Sequence, residues 1–302
     1  MRMYRAILPV VTAILVLTAP AHADEFKPNG LVILMTDYGT DSIYMGIIRG
    51  AIYSKFPDAK VNDLTNAVSP FDITAGAYLL VEAAGEYPKG TVFVSIVDPG
   101  VGTPRKSIVL ETNNGYCFVG PDNGLTTLVA EKFGVKQLRE LTNKDLWRAE
   151  TTSTVFHGRD IFGPVGASLA SGVPVEKCGP TLDSLTKLDI ARSKVENAAA
   201  TGTVMRTDPY GNVITNITST DLKSLNIALG DAIEITIGSE QWTAPFKRTY
   251  AEVPEGSRLV VVQSSGFVEC AINKGSLEDT IKQGFGAAVT IRDTLSRTVV
   301  TN

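Results

Sequence analysis

The sequence predicts a Rossmann-like α/β domain with a largely parallel sheet, followed by a smaller all-β, barrel-like domain. Three observations predict it. From Gly30 onward, short apolar runs alternate with amphipathic segments, the texture of strands joined by helical crossovers. Between about Ser184 and Thr201 this pattern dissolves into charged and Ala-rich residues. Beyond it, short alternating runs with Gly-containing turns mark a small antiparallel unit. The boundary falls near residue 195, giving domains over 28–195 and 196–302, and a chain of 302 residues at about 150 per domain agrees with two.

Residues 1–23 read as an export signal: Arg2 and Arg5, an apolar run from Ala6 to Ala19, then Ala21-His22-Ala23. The expected mature protein is periplasmic or secreted and free of the membrane, because the apolar run is shorter than the roughly 20 residues needed to span one. Next, Leu31 to Met35 is a buried-strand run ending at Thr36-Asp37-Tyr38-Gly39. Asp41-Ser42 can cap a helix carrying Met45, Ile48 and Ile52, with Pro57 beyond its end. A second helix is expected from Ser69-Pro70 to about Ala84. The strand Thr91 to Val97 leads into Asp98-Pro99-Gly100-Val101-Gly102-Thr103-Pro104-Arg105, too rich in Gly and Pro to be helix or strand.

Ser107 to Leu110 and Tyr116 to Val119, separated by Asn113-Asn114-Gly115, form a hairpin that makes the sheet mixed. Helical patterns follow over Thr126–Phe133 and Gly163–Ser171, with Phe156-His157-Gly158-Arg159-Asp160 in a turn before the latter. In the second domain Val213–Ile217, Ala232–Ile237, Arg258–Gln263 and Ala287–Arg292 read as strands.

Composition excludes several functions. With 28 Lys+Arg against 32 Asp+Glu there is no basic excess to grip phosphate backbones, so nucleic acid is not an expected partner. Past the signal, His157 is the one histidine, which removes paired-histidine zinc motifs, and no metal site is expected. Cys117, Cys178 and Cys270 form no CxxC clip; one disulfide stays open, and buried free thiols are the expectation. Gly100-x-Gly102 lacks the third glycine of a dinucleotide fingerprint, and neither GxxxxGK[ST] nor GxSxG occurs.

Asp37 and Asp98 stand at the C-terminal ends of buried parallel-type strands, where open α/β sheets place ligands. From position alone each is equally a helix cap or turn residue. His157 taken by itself reads more readily as a structural histidine than as a site residue.

Five ordered motifs decide between these readings: Thr36-Asp37-Tyr38-Gly39, Val97 to Arg105, Gly120-Pro121-Asp122-Asn123-Gly124, Phe156 to Asp160, and Asp208-Pro209-Tyr210-Gly211-Asn212. Together, over about residues 30–292, they resemble the S-adenosyl-L-methionine (SAM) hydroxide adenosyltransferase family, relatives of the fluorinase and chlorinase. The resemblance implies hydrolysis of SAM to adenosine and L-methionine by water attacking ribose C5′, SAM being substrate and no cofactor being needed. It implies a catalytic set of Asp98, Arg105 and His157. In halogenating relatives the first of these positions is aromatic or small and the histidine is missing.

Substrate contacts implied by the resemblance are Asp37 to the ribose hydroxyls, Phe71 beside the nucleoside, Asp208 to the methionine ammonium and Asn212 to the adenine edge. Ser264 and Ser265 fall at the methionine carboxylate, and backbone near Asn273-Lys274 completes the adenine pocket. The resemblance further implies a homotrimer whose sites lie between the large domain of one subunit and the small domain of the next. Two departures stand out: Asn66 where the family commonly has histidine, and Cys270 within the usual Glu-Ile-Ala run. The competing readings are an exported, non-catalytic nucleoside-binding relative and a SAM-dependent halogenase.

Overall fold

A computed structural model describes residues 26–148 and 153–294; the expected export signal lies outside the described residues. The first sheet has six strands in the order β2-β1-β3-β5-β4-β6. They are β1 (Leu31–Thr36), β2 (Lys60–Thr65), β3 (Val92–Ile96), β4 (Ser107–Thr112), β5 (Cys117–Pro121) and β6 (Val135–Glu140). β1, β2, β3 and β5 run parallel, while β4 is antiparallel to β5 and β6, so the hairpin makes the sheet mixed as expected.

Strand alternation decides which helices cover which face. Val32 and Leu34 point into one core with Met45, Ile48 and Ile52 of α1 (Ile43–Lys55) and Val165 and Leu169 of α4 (Gly163–Ala170). Ile33 and Met35 point into the other, with Ala77 and Leu80 of α2 (Ile73–Ala83) and Val129 of α3 (Thr127–Phe133). In that second core Phe93 and Phe118 stack at 4.8 Å. Helices on both faces explain why β1 and β3 read as unbroken apolar runs.

Two elements differ from expectation. α2 begins at Ile73 rather than near Ser69, because Phe71 takes φ +66°, a left-handed conformation no helix continues through; Asp72 then caps it, accepting from Ala75 N at 2.8 Å. The segment after His157 is not a plain turn: Gly158–Phe162 is a π-helical turn running directly into α4.

The second sheet has eight strands, ordered β11-β10-β14-β8-β9-β13-β12 with β7 on β8. They are β7 (Lys194–Glu196), β8 (Ala199–Thr207), β9 (Val213–Thr218), β10 (Ala232–Ile237), β11 (Glu240–Pro245), β12 (Arg258–Val262), β13 (Phe267–Ile272) and β14 (Ala288–Asp293). A bridge between Phe246 and Val260 brings its two ends together, giving the barrel-like form. Short helices α5 (Ser219–Ser224) and α6 (Leu277–Ile281) lie over it, and α5 starts with a full capping box from Thr218 and Asp221. Ile217, Ile235, Val260, Val268 and Ile291 fill its core. Arg206 of β8 grips Glu82 of α2 through two bonds of 2.7 and 3.1 Å, tying the two sheets together. No helix among the described residues is long and apolar enough to cross a membrane.

Candidate active site

The strand order places the site. β1 lies between β2 and β3, so the strand order reverses at β1, and Asp37 and Asp98 leave neighbouring parallel strands at that switch point. From there the loop turns back on itself through Val101 N to Asp98 O (3.3 Å) and Thr103 N to Gly100 O (3.1 Å). Gly102 sits at φ +82°, and a Cβ there would come within 2.9 Å of Thr154 O; this is one place where only glycine fits.

The loop returns Arg105 onto Asp98. Its Nε donates to Asp98 Oδ1 at 2.9 Å and its Nη2 to Asp98 Oδ2, a two-pronged pair with side-chain exposures of 9% and 6%. Nη1 donates to Ser107 Oγ (2.9 Å) and Lys106 O (3.3 Å), and the guanidinium lies 5.4 Å from the centre of the Phe162 ring. Nη2 also meets His157 Nδ1 at 2.9 Å. Asp98, Arg105 and His157 are therefore in direct contact.

That contact fixes the imidazole. A guanidinium can only donate, so Nδ1 accepts and the neutral ring carries its proton on Nε2, facing away as a donor. Burial, and then the charge of Arg105, hold the His157 pKa below its usual value, against the pull of Asp98 and Asp160. Behind it, fully buried Asp160 takes Arg159 through both carboxylate oxygens (2.6 and 2.9 Å) and Ser153 N at 2.7 Å, anchoring the π-turn.

Tyr38 is a site residue that sequence reasoning passed over, although it stands next to Asp37 in the first motif. Burial, with Asp37 and Asp98 adding, pushes its phenol well above the ordinary range, so it stays protonated. Its ring meets Tyr44 and Phe156 edge-on at 5.9 and 6.2 Å. A Cβ on Gly158 would come 3.1 Å from its hydroxyl, so the glycine after His157 is what lets this wall close. Asp37 Oδ2 accepts from Phe71 N at 2.9 Å, which holds the left-handed Phe71 with its ring 71% exposed. Asn66 is buried beneath, taking the Thr36 hydroxyl at 3.1 Å.

Asp208 and Asn212 form a second group on the barrel. Asp208 closes its own turn, accepting from Tyr210 N (2.9 Å), Asn212 N (3.0 Å) and Asn212 Nδ2 (2.9 Å). With Lys274 they line a cavity of about 620 Å³, within the range of small-molecule sites. Ser264 and Ser265 do not line it; they occupy the β12–β13 turn beside Arg206 and Glu82, in an adjoining cavity of about 410 Å³. Sequence reasoning missed Tyr250, Gln263 and Glu269, which also line the larger cavity. The three cysteines are free and buried, and burial pushes Cys270 up to about 12, an inert thiol filling the barrel core. Among the described residues no cluster of three or more His, Cys, Asp or Glu side chains could hold a metal ion.

Comparison with known proteins agrees on one family. A family model described as the SAM hydroxide adenosyltransferase N-terminal domain matches residues 32–179, and one described as the C-terminal domain matches 202–290. The (R)-S-adenosyl-L-methionine hydrolase of Salinispora arenicola is 37% identical over 249 residues, 82% of this chain and 91% of its own length. That of Methanocaldococcus jannaschii is 36% identical over 250 residues, 79% and 87% of the two chains. The crystal structure of an uncharacterized conserved protein from Thermotoga maritima superposes with a TM-score of 0.84 at 37% identity, covering 87% of this chain and 99% of that one.

Proposed function

The chain belongs to the SAM hydroxide adenosyltransferase family, and we propose how it works as the SAM hydrolase that this membership makes it: water attacks ribose C5′ and frees adenosine and L-methionine. The observation that carries the reading is the Arg105 guanidinium shared between buried Asp98 and His157 Nδ1.

In the displacement the oxygen–C5′ bond forms as the C5′–sulfur bond breaks, and the electron pair goes to sulfur. Methionine leaves as a neutral thioether, so no acid or metal is needed at the leaving group. The former water oxygen loses one proton to solvent, and each turnover releases one proton. As that proton departs, the attacking oxygen takes on hydroxide character, and fixed positive charge in a water-poor site stabilises it. Arg105 supplies that charge. His157, with Nδ1 occupied, offers Nε2–H to hold the oxygen behind C5′, and alignment of this kind provides much of the acceleration. Asp98 touches neither reactant; it positions Arg105. Asp98 and His157 together favour water over halide, against the halogenase reading.

Asp37 takes the ribose hydroxyls and Phe71 lies beside the nucleoside. Asp208, Asn212, Ser264, Ser265 and the backbone at Lys274 hold the remaining ends of SAM. These two groups come from opposite domains, and each has an exposed aromatic at its rim, Phe71 at 71% and Tyr210 at 78%. A homotrimer whose neighbours bring the groups together fits both facts. The sulfonium sulfur is a stereocentre, and we take the (R) epimer as the substrate, as the relatives' names state for them. The boundary near residue 195 and export of the mature enzyme belong to this reading, residues 1–23 carrying the signal.

Product analysis and variant kinetics test it. SAM is expected to yield adenosine and L-methionine in equal amounts without halide, and Arg105→Ala and His157→Ala are expected to lose turnover more than affinity. Losses confined to affinity would overturn the catalytic assignment. Binding of SAM without turnover by the wild type would favour the non-catalytic relative.

A further inference from the structure

β13 is an interior strand between β9 and β12, and Glu269 sits in its middle, opposite Val261 and Ile214. Its neighbours Val268 and Cys270 point into the barrel core, so alternation turns Glu269 to the other side, toward the 620 Å³ cavity. A carboxylate at 1% exposure there is costly unless its oxygens are satisfied. Both are: Tyr250 Oη donates to Oε1 and Gln263 Nε2 to Oε2, each at 2.6 Å. Among the described residues no cation pairs with it. Arg206 and Asp208 act on it at longer range with opposite signs, and Lys274 at the rim is bound to Glu255 at 3.1 Å.

The partners show what this buried acid is for. Tyr250 is 40% exposed on a single 3-10 turn, Tyr250–Glu252, in the connection between β11 and β12, and its hydroxyl bond to Glu269 ties its ring to the sheet. Gln263 opens the β12–β13 turn and its Oε1 accepts from Ser265 Oγ at 3.3 Å. One carboxylate thus joins an aromatic wall of the cavity to the serine-bearing turn next door.

We propose that Glu269 is a positioning residue for substrate binding: it fixes the Tyr250 ring as the wall of the nucleoside cavity and, through Gln263, sets the Ser264-Ser265 turn that receives the amino-acid end. This rests on the reading of that cavity as the SAM half-site. Glu269 touches no reacting atom, so its loss acts on binding and spares the chemical step.

Steady-state kinetics of the full chain with SAM test this, with thermal melts reporting folding. Glu269→Ala is expected to raise KM about tenfold with kcat within threefold, and Glu269→Gln, which can still accept from Tyr250 and, with the Gln263 amide flipped, donate to Gln263 Oε1 while Gln263 Nε2 turns to the Ser265 hydroxyl, to recover to within threefold of wild type. Tyr250→Phe is expected to raise KM severalfold alone and to add nothing in the Glu269→Ala background. If Glu269→Ala does not fold, Tyr250→Phe and Glu269→Gln carry the test. Unchanged KM in Tyr250→Phe, or additive losses, overturns the proposal while leaving the hydrolase reading intact. A wild type that neither hydrolyses SAM nor binds adenosine overturns both.

Discussion

Replacing Arg105 by methionine removes the partner of a carboxylate that is 6% exposed, and the consequence for stability follows from the geometry. Asp98 loses two charge-assisted bonds and keeps its charge in a site built around a guanidinium. Breaking a buried pair from one side costs about 3–5 kcal/mol. Arg105→Met is therefore expected to lose about 3–5 kcal/mol at pH 7. The double variant Asp98→Asn/Arg105→Met strands no charge and should be more stable than Arg105→Met by at least about 1.5 kcal/mol. Urea unfolding followed by fluorescence in a Trp242→Phe background reads this, since Trp147 packs against the core beneath the site. A double variant no more stable than Arg105→Met would refute the argument.

Three further outcomes follow. The acid limb of kcat/KM is expected below pH 6.5, because the His157 pKa is lowered and protonation of Nδ1 breaks its bond with Arg105; stability should likewise fall as pH drops from 6.5 through that lowered value, where the unfolded chain binds the extra proton. A limb above 6.5 would contradict the tautomer assignment. Gly158→Ala, whose Cβ would press on Ile96, Ile48 and the Tyr38 hydroxyl at 3.1–3.2 Å, is expected to cost about 1–3 kcal/mol and to lower kcat further than that loss explains; unchanged kcat would argue against Tyr38 as a site wall. Refolding a mixture of inactive Arg105→Ala and Asp208→Ala chains is expected to restore activity if each site draws on two subunits, whereas sites complete within one chain would stay dead.

The parts of the fold legible in the sequence are those buried on both sides. β1 and β3 carry continuous apolar runs because helices cover each face, and the two aspartates at their ends were visible as site candidates for the same reason. β2, an edge strand of Lys60-Val61-Asn62-Asp63-Leu64-Thr65, is largely exposed and carries no such signal. β13 was hidden by Glu269, a residue whose burial depends on Tyr250 and Gln263 arriving from elsewhere in the chain. The left-handed Phe71 and the π-turn after His157 depend on tertiary bonds, to Asp37 and to the Asp160 anchor, that no local pattern encodes. The three residues proposed as catalytic span 98 to 157, and only the ordered motifs, read as a family resemblance, linked them before the structure joined them through Arg105.

Hydrolysis at C5′ is tested most directly by incubating the purified enzyme with a mixture of SAM sulfonium epimers in oxygen-18 water and resolving the products by mass spectrometry. The account predicts adenosine labelled once at the 5′ oxygen, unlabelled L-methionine, and consumption of the (R) epimer. Unlabelled adenosine, or adenine released by cleavage at the glycosidic bond, would contradict it.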